Sequence, residues 1–269
     1  MAASSTFVAA DGTGYEIQMG RWSRILAPRF IAFAGVASGD RVLDVGCGTG
    51  NLSFALAENP RIGAIVGVDF SSAYVDYARS RSNDPRIAFH QGDACALAFA
   101  DGSFDHAFSM LVLQFIPQPE LAVREMRRVT RPGGTVAAAT WDARGGFVAY
   151  RLFFDTAAAI EPGAMERRKR MYTRPMSRPG ELERAWKSAG LTDVDQDMVT
   201  IRMDFASFAD FWAPNEGKDG PIAEYVGTLS ANDKARVREG VERAYLDGEA
   251  DGPRSYTATA WVVKGQVPG

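Results

Sequence analysis

The segment from Arg41 to Gly50, Arg-Val-Leu-Asp-Val-Gly-Cys-Gly-Thr-Gly, constrains this chain more than any other. Val42, Leu43 and Val45 form a short apolar run of β type. Three glycines follow at alternate positions, Gly46, Gly48 and Gly50, and Asn51–Ala57 reads as the start of a helix. A strand, a glycine turn and a helix N-terminus in that order let backbone N–H groups come close to a ligand, because glycine has no Cβ to hold it off. The spacing also restricts the ligand. A dinucleotide fingerprint, G-x-G-x-x-G, needs glycine at position 51, where this chain has Asn51. The spacing here is G-x-G-x-G, with Asp44 just ahead of it.

Around this turn, strand patterns alternate with helical ones. Strands are expected at 41–45, 62–69, 86–90, 103–110, 135–141, 194–203 and 255–264, with helices at 71–81, 120–130 and 179–189. Arg131-Pro132-Gly133-Gly134 should stop the second of these helices. Ahead of the first strand, Trp22, Ile25, Leu26, Phe30 and Phe33 fall at helical spacing. Pro28 is expected to divide that stretch into two short helices, because proline has no N–H to donate and its ring clashes with the preceding turn. The glycine-, alanine- and serine-rich start, residues 1–20, is expected to be loosely ordered at first. This alternation means parallel βαβ units in a doubly wound sheet.

Composition narrows the function. A chain of 269 residues is long enough for one large α/β domain. A net charge of −3 lacks the basic excess of a nucleic-acid binder, so no nucleic-acid partner is expected. No apolar run approaches the roughly 20 residues of a membrane span, and the first residues do not read as a signal peptide. Two cysteines, Cys47 and Cys95, make no disulfide framework, and a cytoplasmic location is expected.

In an open α/β sheet, ligands sit beyond the carboxyl ends of the strands. Four strand ends carry suitable groups. The glycine turn offers bare backbone. Asp69 can accept from ribose hydroxyls, with Phe70 beside it as an adenine platform. Gly92-Asp93-Ala94 supplies a carboxylate for the adenine amino group. Ser109-Met110-Leu111-Val112-Leu113-Gln114 falls where a cofactor and an acceptor would meet. Val42–Gly50, Val66–Phe70, His90–Ala94, Ser103–Gln114 and Arg131–Gly134 together resemble the successive motifs of class I S-adenosylmethionine-dependent methyltransferases. The branch is methyltransferase type 11, which includes the quinone-biosynthesis C-methyltransferases. The resemblance covers about residues 15–141 well and the later strands loosely.

It implies a Rossmann-like α/β fold, a doubly wound seven-stranded sheet that is mostly parallel with the last strand antiparallel, carrying helical cap insertions. One domain overall would divide into an N-terminal helical lid (1–40), a cofactor-binding half (41–141), a cap insertion (142–178), a late helix and strand (179–204), a second helical cap insertion (205–254) and a final strand (255–269). The cofactor implied is S-adenosylmethionine, leaving S-adenosylhomocysteine as product. Gly46 would lie against the methionine portion, Asp69 at the ribose and Asp93 at the adenine, with the charge of Asp44 near the methionine amino group. Tyr15, Met19, Gly20 and Arg21 would fold over the cofactor, with Arg21 or Arg24 at its carboxylate. Cys47, Gly48, Gly50, Asn51, Gly92, Ala94, Ser109, Met110 and Gln114 complete the expected cofactor set.

No general base stands out. His90 ends a strand on the adenine side, and His106 lies inside a strand as a structural histidine. No metal-ligand grouping is present. The acceptor is expected to be a small molecule under a cap, walled by Trp141, Phe147, Tyr150, Tyr172, Phe211 and Trp212. The protein would be a monomer or homodimer. The basic run at 166–170, with Arg174 and Arg178, is read first as a solvated helix face and second as attraction for an anionic acceptor. Competing readings are a catalytically silent cofactor-binding module, a methyltransferase acting on protein or RNA, and a nicotinamide-dependent oxidoreductase, which Asn51 disfavours.

Overall fold

A computed structural model of the chain describes residues 5–7, 11–217 and 219–269. In chain order the elements begin with α1 (Gly12–Tyr15), a π-helical turn (Glu16–Gly20) and α2 (Arg21–Ala34). The sheet half follows with β1 (Arg41–Val45), α3 (Asn51–Ala57), β2 (Ala64–Asp69), α4 (Ser72–Ser80), β3 (Ile87–Gln91), β4 (Phe104–Met110), α5 (Pro119–Val129) and β5 (Thr130–Trp141). Then come α6 (Val148–Ile160), α7 (Gly163–Tyr172), α8 (Glu181–Ser188), β6 (Thr192–Phe205), α9 (Phe208–Trp212), α10 (Gly220–Val226), α11 (Ala231–Leu246) and β7 (Arg254–Gln266). The expected loose start falls in part on residues 1–4 and 8–10, outside the described residues.

The seven strands form one sheet in the order β3-β2-β1-β4-β5-β7-β6. Strands β1 to β5 pair in parallel, and β7 runs antiparallel to both β5 and β6. Strand order reverses between β1 and β4, the position where doubly wound sheets open a ligand crevice. Period-two alternation sends Val42 into one apolar layer with α2 and α3, and Leu43 and Val45 into the other with α5 and α8. The first layer continues into the cap. Phe153 and Phe154 of α6, Phe208 and Phe211 of α9, and Val237, Val241 and Tyr245 of α11 share it. Both insertions leave from the carboxyl edge of the sheet, one from β5 and one from β6.

One local expectation needs correction. Pro28 does not divide its helix: α2 runs unbroken from Arg21 to Ala34 and ends at Gly35. Leu26, Ala27 and Phe30 are fully buried on either side of the proline, and this packing offsets the hydrogen bond that Pro28 cannot donate. The Arg131–Gly134 stretch follows the end of α5 as expected, and it is itself part of β5. Gly133 donates to Val267 and Val267 donates to Gly134, while the β4–β5 register shifts between Phe104 and His106. The glycine pair is thus a bulge within β5, reached at Gly133 with φ +74°.

Candidate functional site

One deep cleft opens at the carboxyl ends of β1 and β4, and its lining draws on the glycine turn, the ends of β2, β3 and β4, the N-terminal segment and the first cap insertion. It encloses about 1380 Å³, its open mouth included.

The turn after β1 has its shape for steric reasons. A Cβ on Gly46 (φ +76°) would collide with both methyl groups of Val112, which stands at the exit of β4. Gly48 (φ +53°) has open space where its Cβ would be. Its N–H donates to Asp69 Oδ2 at 2.8 Å, and Ser71 N–H donates to Asp69 Oδ1 at 2.8 Å. Asp69 therefore ties the turn to the end of β2 and starts α4. Burial pushes its carboxyl pKa up in spite of these two bonds. Asp44 is almost fully buried and accepts from Ser53 Oγ at 2.7 Å. Burial, with the charge of Asp69 added, raises its pKa to about 7. Among the described residues no cation eases either carboxylate. A buried acid and a half-buried one, without a counter-ion among the described residues, suit a positively charged ligand.

The N-terminal segment closes over this turn. The π-helical turn sets Glu16 to accept from Asn51 Nδ2 at 2.8 Å and from the Thr49 hydroxyl, while Arg24 and Arg81 pair with the same carboxylate. Tyr15, Gln18, Met19 and Ser23 line the cleft from this side. Thr6 N–H donates to the Phe115 carbonyl at 2.8 Å, and the rings of Phe7, Tyr15, Tyr74 and Phe115 cluster above. Tyr74 donates to Asp219 at 3.0 Å, which joins the second insertion to this roof.

Of the residues singled out from the sequence, Tyr15, Met19, Asp44, Gly46, Cys47, Gly48, Asn51, Asp69, Phe70, Gly92, Asp93, Ala94, Met110 and Gln114 line the cleft, as do Trp141, Phe147 and Tyr150. Phe70 is 55% exposed at the rim. Asp93 also holds its own turn, accepting from Cys95 N–H at 2.8 Å. Burial pushes the Cys47 thiol pKa well up, which makes it a poor nucleophile.

Eight expected residues do not line the cleft, Gly20 among them. Arg21 pairs with Asp210 at 2.9 Å and packs over Trp22, and Arg24 is taken by Glu16, so neither guanidinium faces the cleft. Gly50 packs under Phe54 and Phe89 as α3 begins. Ser109 is fully buried within β4 and donates to the Val45 carbonyl at 2.9 Å. Phe211 and Trp212 belong to the aromatic core of the cap, with ring centroids 5.1 Å (Phe205–Phe211) and 6.0 Å (Phe153–Trp212) apart. Tyr172 donates to Asp155 Oδ1 at 2.7 Å, beside Arg151 and Arg168. Tyr172→Phe should therefore cost about 1 kcal/mol of stability, the size of one hydrogen bond. It should leave acceptor kinetics within about twofold; a larger change in KM would return Tyr172 to the pocket.

Sequence reasoning missed Phe7, Gln18, Thr49, Tyr74 and Phe115, all in the lining, where Arg174 of the basic run also stands. Gln18 Nε2 and Gln114 Oε1 are buried with no hydrogen-bond partner among the described residues. A donor and an acceptor left open in the same cleft await a polar ligand. His106 is engaged with Asp40 at 2.7 Å, and His90 is exposed; neither lines the cleft.

Residues 43–138 match the methyltransferase domain family. Over 124 residues the chain is 33% identical to an uncharacterised protein of Mycobacterium tuberculosis, covering 45% of this chain and 44% of that one. Over 132 residues it is 38% identical to a demethylmenaquinone methyltransferase of Renibacterium salmoninarum, covering 48% and 52%. The chain thus spans about half the length of the curated relatives it matches. Among solved structures, a Haemonchus contortus phosphoethanolamine N-methyltransferase superposes with a TM-score of 0.60 at 19% identity, over 96% of this chain and 57% of that one. Over residues 43–138 the chain is thus similar to methyltransferase domains, and its fold is the one that this solved structure shares.

Proposed function

We propose that this chain is an S-adenosylmethionine-dependent methyltransferase acting on a small-molecule acceptor held beneath the cap. The observation that carries the reading is the pair of acids beside the glycine turn, Asp44 buried and Asp69 half-buried, with no counter-ion among the described residues. S-adenosylmethionine supplies an already activated methyl group together with positive charge on its sulfonium and ammonium groups. On this reading Asp69 takes the ribose, Asp93 the adenine amino group, Phe70 the adenine face and Asp44 the methionine ammonium. The open amides of Gln18 and Gln114 complete the polar lining.

The remaining task of the chain is to aim the acceptor. Holding two reactants in line is worth roughly 7–11 kcal/mol in a well-oriented site. The hydroxyls available in the lining are poor bases. Burial raises the pKa of Tyr15 to about 12, and those of Tyr74 and Tyr150 are raised as well. A lining of this kind suits an acceptor whose lone pair is free at neutral pH and whose proton, once methylated, passes to water. The aromatic walls and the net charge of −3 favour a small molecule over a protein or RNA.

The test is a homocysteine-release screen over thiols, amines, phenols, quinols and small carboxylic acids, run beside thermal shifts with S-adenosylmethionine and NAD. S-adenosylmethionine should stabilise the protein and at least one acceptor class should release product. Stabilisation by NAD alone would revive the oxidoreductase. Cofactor binding with no turnover on any acceptor would leave a silent binding module.

A further inference from the structure

The densest basic stretch of the chain, Glu166 to Arg178, separates into two kinds of residue. Arg167 pairs with Glu224, Arg168 with Asp155, Arg178 with Glu181 at 3.8 Å and Arg170 with Glu166 at 4.0 Å. These are surface pairs of modest worth. Arg174, just past the end of α7, lines the cleft instead. Its guanidinium carbon lies 4.2 Å from the centroid of the Phe115 ring. Among the described residues no carboxylate pairs with it, and its N–H groups make no hydrogen bond. Desolvation lowers its pKa to about 10, so it is still charged at neutral pH; Tyr150 and Glu224 partly offset that effect. Glu224 itself is engaged by Arg167.

A half-buried guanidinium without an anion is a costly arrangement, and its planar fork of donors matches a carboxylate. A further donor stands nearby. Tyr150 lines the same cleft, and burial keeps its hydroxyl protonated. The Ser177 hydroxyl is spent on the Arg174 carbonyl at 2.7 Å. One cation and one phenol balance a monoanion better than a phosphate dianion. The adjoining wall is flat: Phe147 and Tyr150 stack at 4.1 Å with 16° between planes, and Trp141 lies 5.0 Å from Phe147.

We propose that Arg174, with Tyr150, anchors the carboxylate of an aromatic monocarboxylate, which is the acceptor of this site. Calling it the acceptor rests on the methyltransferase reading; the anchoring itself is a matter of binding. The step that follows uses a second group on the ring, such as an amine or thiol. Its lone pair forms the bond to the methyl carbon, the carbon–sulfur bond breaks with its electrons going to sulfur, and the acceptor's proton leaves to water.

The experiment is calorimetry on the full chain with anthranilate and 2-mercaptobenzoate, each against its primary amide, with S-adenosylmethionine affinity measured in parallel. In the wild type the carboxylates should bind at least about tenfold tighter than the amides, as a charge-assisted pair requires. Arg174→Gln should erase that preference and leave S-adenosylmethionine affinity within about twofold. Arg174→Lys should keep part of the preference, since it keeps the charge and loses the fork. Equal binding of acid and amide, no binding of either carboxylate, or a preference that survives Arg174→Gln would each overturn the proposal. If Arg174→Gln fails to fold, the wild-type comparison and Arg174→Lys decide. Should S-adenosylmethionine not bind while the carboxylate preference holds, the methyltransferase reading fails and the anion site stands.

Discussion

Asp69→Ala should weaken S-adenosylmethionine by roughly 1.5–3 kcal/mol, the scale of hydrogen bonds to a charged group. That is about 10- to 150-fold in the dissociation constant. The reason lies in the two jobs this carboxylate performs at once. It faces the cleft at the end of β2, and its oxygens already hold the N–H groups of Gly48 and Ser71. Removing it takes acceptors from the ligand and frees the turn that the ligand must meet in one conformation. Asp69→Asn separates the two jobs, because its amide oxygen can still hold one of those N–H groups while the charge is gone. Calorimetry should place Asn between wild type and Ala. Unchanged affinity in Asp69→Ala would remove Asp69 from the cofactor site.

The affinity for a cationic ligand should also fall steeply on mild acidification. Asp44 has a pKa of about 7 in the ligand-free protein, raised from 3.8 chiefly by burial. Its anionic form is the one that attracts a cation. Below about pH 7 each unit of pH should therefore cost roughly tenfold in affinity, until the lower pKa of the complex is reached. Asp69, whose pKa is also raised, acts in the same direction. For the ligand-free protein the linkage has the opposite sign. Between pH 3.8 and about 7 the folded chain keeps a proton on Asp44 that the unfolded chain releases. This group's contribution to stability is thus full below the unfolded value and lost as pH rises through about 7. Asp44→Asn keeps an acceptor for Ser53 and removes the buried charge. It should raise the ligand-free Tm by a few degrees near pH 8 while weakening S-adenosylmethionine about tenfold and flattening its pH dependence. A wild-type affinity that is flat from about pH 8 to about pH 5.5 would count against Asp44 as a cation-facing group.

The glycine-turn side of the cleft was legible before any fold was known, because local chemistry writes it. Gly46 and Gly48 need positive φ, Asp69 ends a strand, and both facts show as residue types at fixed spacing. The cap side was less legible because helical spacing shows that a side chain turns inward without showing toward what. Trp212 and Tyr150 look alike as cap aromatics. The first packs against Phe153 and Phe208 in the core of the cap, and the second stands in the cleft wall. Arg21 illustrates the same limit. Its place beside Met19 suggested a cofactor contact, and only the arrival of α9 with Asp210, 189 residues away in sequence, shows where it points.

The sequence by itself thus determined the order of strands and helices, the glycine turn and the acids that follow β1, β2 and β3. Each of these depends on a residue's own conformational freedom or on its near neighbours. Tertiary structure alone decided that Pro28 sits inside one helix, that Arg174 leaves its basic run to face the cleft, and that Glu16 closes the N-terminal segment onto Thr49 and Asn51. These outcomes depend on partners brought together by packing from distant parts of the chain, and burial and pairing energies between such partners override local preference.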